Sequence, residues 1–230
     1  LYANTTSEDN TAVGYYALRN STGGLNTAVG SNSQPFTTTG ASNSSLGQGS
    51  LYSNTIGSYN TGLGREALRS NTTASNNTAV GYQAGYSNTT ATDNTAIGNQ
   101  AGYATTTGIN NTFVGSGAGV SNTTGLANCF IGKGAGSQVT TGTRNTIVGG
   151  YNGNLGGLDI RTASNYIVLS DGDGNPRMYH DGSTYWFIPP RIASTGTYNN
   201  TSASAANMVV ASNSEFLRKS EEHTSELQSH

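Results

Sequence analysis

The sequence predicts an all-β fold: a parallel β-solenoid of nine coils of about 17 residues, followed by a small β-meander. Three observations predict it. The pattern Asn-[Thr/Ser/Cys]-x-[Val/Leu/Ile]-Gly occurs nine times, once at a sixteen-residue interval and then always at seventeen. Its fourth position is always aliphatic and its fifth always glycine. Apolar residues make up only 33% of the chain and charged residues only 10%, so a single unit has too little apolar surface to form a core of its own.

Each unit is predicted to contain two short strands, about N-T-x-V and S-N-T-T, joined by two turns. Seventeen residues are too few for a helical hairpin, which needs a unit of about 34 residues. Thr, Val, Ile and Tyr favour strands, whereas Gly and Asn supply the positive φ of turns. Stacked coils would pair in parallel about 4.8 Å apart. Columns of Asn and Thr suit such stacking because their side chains can hydrogen-bond from coil to coil. The anchor residues, counted as position one of each unit, are Asn10, Asn26, Asn43, Asn60, Asn77, Asn94, Asn111, Asn128 and Asn145.

The aliphatic column at position four is predicted to point into the coil. Each unit has one such residue, and stacking would join them into a continuous apolar stripe. Position three would then face the other way, because side chains alternate along a strand. The predicted coil-core column is Val13, Val29, Leu46, Leu63, Val80, Ile97, Val114, Ile131 and Val148.

Position three changes from small to large along the chain, ending in Phe113, Phe130 and Ile147. On an outward face these three residues would form an exposed apolar patch, which soluble monomers avoid. The sequence therefore predicts that they meet partner chains around the axis of a homotrimer. The competing prediction is a monomer whose roll is wide enough for both faces to be internal.

Four segments are predicted. Residues 1–154 form the solenoid and residues 155–190 the meander, with strands at 166–169, 177–180 and 185–188 between turn clusters. Residues 191–219 form a Ser-, Ala- and Asn-rich connector toward a further C-terminal domain. Residues 220–230, "SEEHTSELQSH", break every compositional trend and read as the conceptual translation of a sequencing adapter.

The residues predict no enzyme, metal or cofactor. "DGDGN" resembles the start of a calcium loop from Asp171, but the twelfth position of that loop needs Glu and holds Gly182. The acidic residues of the coils share no column, so they predict no paired carboxylates. The near-neutral charge predicts no nucleic-acid partner, and no apolar run is long enough for membrane insertion.

Tyrosines recur in the turn after the glycine and are candidate ligand contacts, because aromatic rings can stack against sugars. The alternative is that they only cover the coil edge and brace neighbouring turns. They are Tyr15, Tyr16, Tyr82, Tyr86 and Tyr103.

The repeats "NTAVGYQAGY" and "NTAIGNQAGY" resemble those of trimeric autotransporter adhesin heads, which are left-handed parallel β-rolls. The 17-residue unit is also similar to repeats of phage tail fibres, in which a segment like "NMVVASNSEFLR" leads into an endosialidase-type chaperone. The resemblance implies a homotrimeric, extracellular module that contacts a host glycan or protein receptor, in a virion tail fibre or, alternatively, on a bacterial surface. A remote alternative is an ice-binding solenoid, which would need two threonine columns on one face.

Overall fold

The computed structural model describes residues 2–4, 7–183 and 186–187, and every regular element in this part of the chain is a β-strand. Twelve strands form one sheet, and a two-stranded hairpin stands apart from it. The strands of the repeats are β1 (Thr11–Val13), β2 (Thr27–Val29), β3 (Ser44–Leu46), β4 (Thr61–Leu63), β5 (Thr78–Val80), β6 (Thr95–Ile97), β7 (Thr112–Val114), β8 (Cys129–Ile131) and β9 (Thr146–Val148).

The repeats stack as a parallel β-solenoid of about nine coils, as predicted. Each strand covers positions two to four of its unit and pairs in parallel with the same positions of the next unit; for example, Ala79 lies opposite Ala96. The sheet order β1 to β9 follows the chain order, so each coil contacts only the coil before and the coil after it.

A buried ladder of asparagine side chains joins the coils. The Oδ1 atom of Asn60 accepts hydrogen bonds from the backbone N–H of Asn77 at 3.0 Å and from its Nδ2 at 3.2 Å. Asn77 Nδ2 also donates to the carbonyl of Ala91, at position fifteen of its own unit, at 2.9 Å. The amide thus partners backbone groups that would otherwise be buried without a hydrogen bond. This explains why position one is invariably Asn.

The glycine at position five is required by a close approach between coils. At Gly98 the φ angle is +136°, a value that favours glycine. A Cβ at this residue would lie 2.5 Å from the carbonyl oxygen of Gly115 in the next coil. Backbone therefore passes over backbone here, with no room for a side chain.

The prediction that the aliphatic column points into the coil is wrong. None of its members is buried, and Val13 is 57% and Leu46 53% exposed. The anchor Asn occupies the interior because its amide joins the ladder, and the alternation of side chains then turns position three inward and positions two and four outward. The exposed or half-buried residues are Val13, Val29, Leu46, Leu63, Val80, Ile97, Val114, Ile131 and Val148.

The assignment of Phe113, Phe130 and Ile147 to a trimer axis is also wrong. All three are at most 1% exposed within a single chain. The rings of Phe113 and Phe130 lie 5.3 Å apart, one coil above the other. Their growth in size along the chain therefore reflects the filling of the coil interior and gives no information about partner chains.

Position three packs against position nine, and the two exchange volume along the solenoid. A Cβ at Gly119 would lie 2.5 Å from the ring of Phe113 in the same coil, and one at Gly62 would lie 3.5 Å from Leu51 in the coil before. In the first four coils position three is small and position nine is large: Ala12 with Leu18, Ala28 with Gln34, Ser45 with Leu51, and Gly62 with Leu68. Coils seven and eight reverse this, with Phe113 beside Gly119 and Phe130 beside Gly136.

Both positions are small in the fifth and sixth coils, where Ala79 accompanies Gly85 and Ala96 accompanies Gly102. A cavity of about 10 Å³ lies there, between Leu68 of the fourth coil and Phe113 of the seventh. The large side chains on either side do not fill this junction.

The prediction of two strands per coil is wrong, because each coil has one strand and its S-N-T-T segment forms turns. The threonine at position thirteen still links the coils through its hydroxyl. Thr72 Oγ1, for example, donates to the carbonyl of Thr89 at 3.0 Å. The ladder of threonines therefore needs no second strand.

The meander is present and continues the same sheet. Its strands are β12 (Ile167–Ser170), β13 (Pro176–His180) and β14 (Trp186–Phe187). β12 pairs in parallel with β9, Ile167 opposite Thr146, and β13 and β14 follow antiparallel. A hairpin of β10 (Asn154–Leu155) and β11 (Leu158–Asp159) lies in the longer connection that precedes β12. Stacking thus extends past residue 154 for one altered coil, while the connector at 191–219 and the segment 220–230 lie outside the described residues.

Candidate functional site

The outward side of the parallel sheet carries two continuous columns of side chains. We call it the strand face and define it by positions two and four of the nine coils. Position four supplies the aliphatic column given above. Position two supplies Thr11, Thr27, Ser44, Thr61, Thr78, Thr95, Thr112, Cys129 and Thr146. Rows of hydroxyl and methyl groups thus alternate across the sheet, and neither column contains a charged residue.

The strand face continues into the meander because β12 keeps the register of β9. Ile167 follows the column of Thr146, and Leu169 follows the column of Val148. Val168, between them, is buried like position three of the coils. At the end of this face the rings of His180 and Trp186 make an edge contact, with centroids 5.1 Å apart.

A second surface lies on the turns and is built from position ten of four successive coils. We call it the aromatic edge and define it as Tyr52, Arg69, Tyr86 and Tyr103. The guanidinium of Arg69 lies 5.1 Å from the ring centre of Tyr52 and 5.7 Å from that of Tyr86. The rings of Tyr86 and Tyr103 stack 5.0 Å apart. The regular spacing of the coils places these side chains above one another in a single stack. They do not form a sequence motif, because they are far apart along the chain.

A polar column runs beside the aromatic edge at position seven. Gln83 donates from Nε2 to Glu66 at 2.8 Å, and Gln100 donates to Gln83 at 3.0 Å. Glu66 also lies 3.8 Å from Arg69. Carboxylate, amide and guanidinium groups thus line the aromatic edge, and these are the groups that can bind a hydroxyl-rich ligand.

The five predicted tyrosines fall into three separate groups. Tyr15 and Tyr16 stack 3.9 Å apart in the first coil, and Tyr82 lies in another column, near Arg65. Tyr86 and Tyr103 belong to the aromatic edge. Each stacked pair covers one face of each ring, and Arg69 lies over the Tyr86 ring, whereas Tyr15 remains 64% exposed. This packing is the bracing expected in the alternative prediction, whereas ligand contact stays a prediction.

Sequence reasoning missed Tyr52, Arg69, Gln83 and Gln100 as members of this surface. The signal was available in the repeat, because residues ten positions into successive units lie above one another. Tyr, Arg, Tyr and Tyr in one column would have indicated a stack of rings and guanidinium. These residues are neighbours only across coils, whereas a sequence motif groups residues that are close along the chain.

The remaining polar groups explain local structure. Asp171 accepts hydrogen bonds from Asn175 and Asp173 and pairs with Arg177. The side-chain bond from Asn175 contributes most to lowering the pKa of its carboxyl to about 2, followed by the backbone bond from Asn175 and the pair with Arg177. Burial raises the pKa of the Tyr151 phenol, whose hydroxyl donates to the Leu158 carbonyl at 2.7 Å. Among the described residues no cluster of His, Cys, Asp and Glu could hold a metal ion, and no helix could cross a bilayer.

Comparisons with protein-family models, curated proteins and solved structures found no match.

Proposed function

We propose that this chain is a structural and adhesive fibre module, a homotrimer that extends from a surface and contacts a host cell. The observation that carries the proposal is the unbroken stack of nine strands in strict register. Eight steps of about 4.8 Å give a rod of roughly 40 Å. Neighbour-only contacts make such a rod extensible, because adding a coil adds length without changing the existing ones.

The turns suit a role in attachment because they vary while the ladders stay constant. Positions six, seven and ten hold Tyr, Arg, Glu, Gln, Lys, Asn, Ser, Gly, Pro or Val in different coils. The aromatic edge and its polar column are the part of this variable surface best suited to a host glycan. A phage tail fibre is the leading assignment, a bacterial trimeric adhesin head is the alternative, and both place the module outside the host cell.

Cell binding and rod length test this function together. Inserting three further copies of residues 43–59 should lengthen the rod by about 14 Å in solution scattering. Binding of the labelled protein to a panel of bacterial cells and glycans should weaken in Tyr86→Ala and persist in the control Tyr59→Ala, which changes an exposed tyrosine elsewhere. Absence of binding by the parent across the panel would contradict the adhesive part. Sequence beyond Arg218 separates the assignments: a chaperone domain indicates a phage fibre, and a coiled coil with a membrane barrel indicates an adhesin.

One observation favours the remote alternative of an ice-binding solenoid. Threonine and aliphatic columns share the strand face, although it has one threonine column and not the two that this alternative needs. Regular hydroxyl and methyl rows are the surface chemistry that orders water. A thermal-hysteresis assay on the full chain decides this case: hysteresis that is lost in Thr95→Tyr would support it, and its absence from the parent would exclude it.

A further inference from the structure

The strand face is an apolar surface on the outside of the described chain. Val13 and Leu46 are more than half exposed, and Ile97, Ile131 and Val148 are 39–42% exposed. The residues lie in one column, so their exposed areas join along nine coils and on to Leu169 in β12. Soluble monomers avoid apolar patches of this continuity.

Charged residues of the coils lie beside this face and not on it. Arg65 and Lys133 occupy position six, Glu66 position seven and Arg69 position ten, all in the turns. A charged residue on an exposed face opposes association with an uncharged surface, because its charge would have to leave water unpaired. Neither column of the strand face contains such a residue, so nothing in them opposes contact with another uncharged surface.

We propose that the strand face packs against the strand faces of other copies of this chain. The columns repeat at every coil, so the ridges and grooves of the face have the axial period of the solenoid. Only a partner with the same period can fill successive grooves along nine coils. A second copy has that period by construction, and its face is equally uncharged. The inference rests on the proposed fibre function and names the surface through which that fibre assembles.

The uneven height of the side chains on the strand face favours contact with a protein over contact with a plane of ice. Position four alternates among Val, Leu and Ile, so its side chains reach to different heights along the column. Position two includes Ser44 and Cys129 among the threonines. Side chains of a partner can interdigitate with such uneven rows, whereas a rigid lattice of water cannot.

A matched pair of substitutions tests the surface. Ile97→Lys places a charge in the middle of the strand face, and Ile56→Lys makes the same change at an exposed turn residue. Light scattering and sedimentation should find the parent and Ile56→Lys as the same oligomer, with Ile97→Lys dissociating at least tenfold more readily. Circular dichroism confirms that each variant is folded, and Val80→Lys repeats the test one coil earlier in case Ile97→Lys does not fold.

Cysteine cross-linking reports the arrangement of the copies. Cys129 lies in position two of the eighth coil and is half-buried within one chain. Parallel copies should cross-link through Cys129 with a short bismaleimide. Antiparallel copies should instead cross-link through Thr78→Cys in a Cys129→Ser background, because Thr78 is in β5, the central strand of the nine. A parent oligomer that cross-links at neither position would overturn the proposal.

Three further outcomes would also overturn it: a monomeric parent, an equal loss of assembly in Ile56→Lys and Ile97→Lys, and thermal hysteresis by a monomeric parent. The proposed fibre function and the proposed interface can be contradicted independently. An intact oligomer that does not bind cells would contradict adhesion but not the interface, whereas a monomer that still binds cells would contradict the interface alone.

Discussion

The first four coils and the seventh and eighth coils fill the same cross-section from opposite sides. Near the N-terminus the large side chain stands at position nine, as in Leu51 and Leu68, and faces a small residue on the strand. In the later coils the strand carries Phe113 or Phe130 and position nine is glycine. The same backbone thus accepts a large side chain at either position three or position nine. The fold requires only that the two side chains together fill the interior volume between them.

The two designs differ in backbone strain. Position nine is left-handed in both, with φ of +50° at Leu68 and +59° at Gly119. A leucine in that conformation costs about 1–2 kcal/mol, whereas glycine adopts it freely. The early coils therefore carry strain that the later coils avoid, and the underpacked fifth and sixth coils mark the transition between them.

The largest expected effect comes from adding a ring on the wrong side of the core. Ala28→Phe would place a ring where Gln34 already fills position nine, and we expect a loss of about 3 kcal/mol. Ala96→Phe makes the same change beside Gly102 and the junction cavity, and should cost less, about 1–2 kcal/mol, because part of the ring enters the cavity. Urea denaturation of both variants measures the difference. Equal losses would show that the two regions do not differ in the space opposite the strand.

A leucine at position nine tests the strain. Leu51→Ala removes buried methyl groups and should cost about 2–3 kcal/mol. Leu51→Gly removes one carbon more, yet relieves the left-handed backbone at φ +51°, and should be about 1 kcal/mol more stable than the alanine variant. At an ordinary strand position the order is reversed. A glycine variant less stable than the alanine variant would mean that the early coils are not strained.

The junction contains a smaller defect, at Thr105. Its hydroxyl is buried and has no hydrogen-bond partner, and the residue lines the junction cavity. Thr105→Val removes the unpartnered oxygen with little change of shape and should stabilise the chain by about 1 kcal/mol. Position twelve already holds a buried valine, Val139, two coils later. A rise of the thermal midpoint in calorimetry is the expected result, and a fall would indicate that the hydroxyl has a partner in solution.

The seventeen-residue period predicted the coils and their parallel stacking, because a fixed interval with an invariant Asn and Gly leaves few alternatives. The turn clusters after the last repeat predicted the meander. The period did not predict which strand side faces inward. Val80 is larger and more apolar than Ala79, so hydrophobicity favoured the wrong residue. The interior at Ala79 is narrow, because Leu68 reaches toward it from the coil before. Comparing columns would have revealed this, since position three enlarges where position nine loses its side chain.

The candidate surfaces were predictable only in part, for the same reason. A tyrosine such as Tyr86 is visible along the chain, but its neighbours Arg69 and Tyr103 are one coil away on either side. The strand face was hidden because its aliphatic column was assigned to the core. Predicting either surface requires knowing which residues share a column and whether their side chains point inward or outward. A sequence pattern gives the columns but not the direction of the side chains.

The smallest expected effect is a difference in acid sensitivity between the coils and the meander. The asparagine ladder is neutral and does not titrate in acid. Asp171, in contrast, is held ionised by hydrogen bonds from Asn175 and by Arg177, with its pKa lowered to about 2. A carboxyl whose pKa is lower in the folded state stabilises the fold above its unfolded pKa of about 3.9, and this contribution is lost as the pH falls toward 2.

We therefore expect acid to loosen the hairpin between β12 and β13 before it affects the coils. Trp186, the single tryptophan of the chain, pairs with β13 and reports this change by fluorescence, while far-ultraviolet circular dichroism reports the coils. Between about pH 4 and 2, the interval between the unfolded and the folded pKa, the fluorescence should change first. Asp171→Asn should weaken the hairpin at neutral pH and reduce this acid step. Simultaneous loss of both signals in the parent would show that the meander and the coils unfold as one unit.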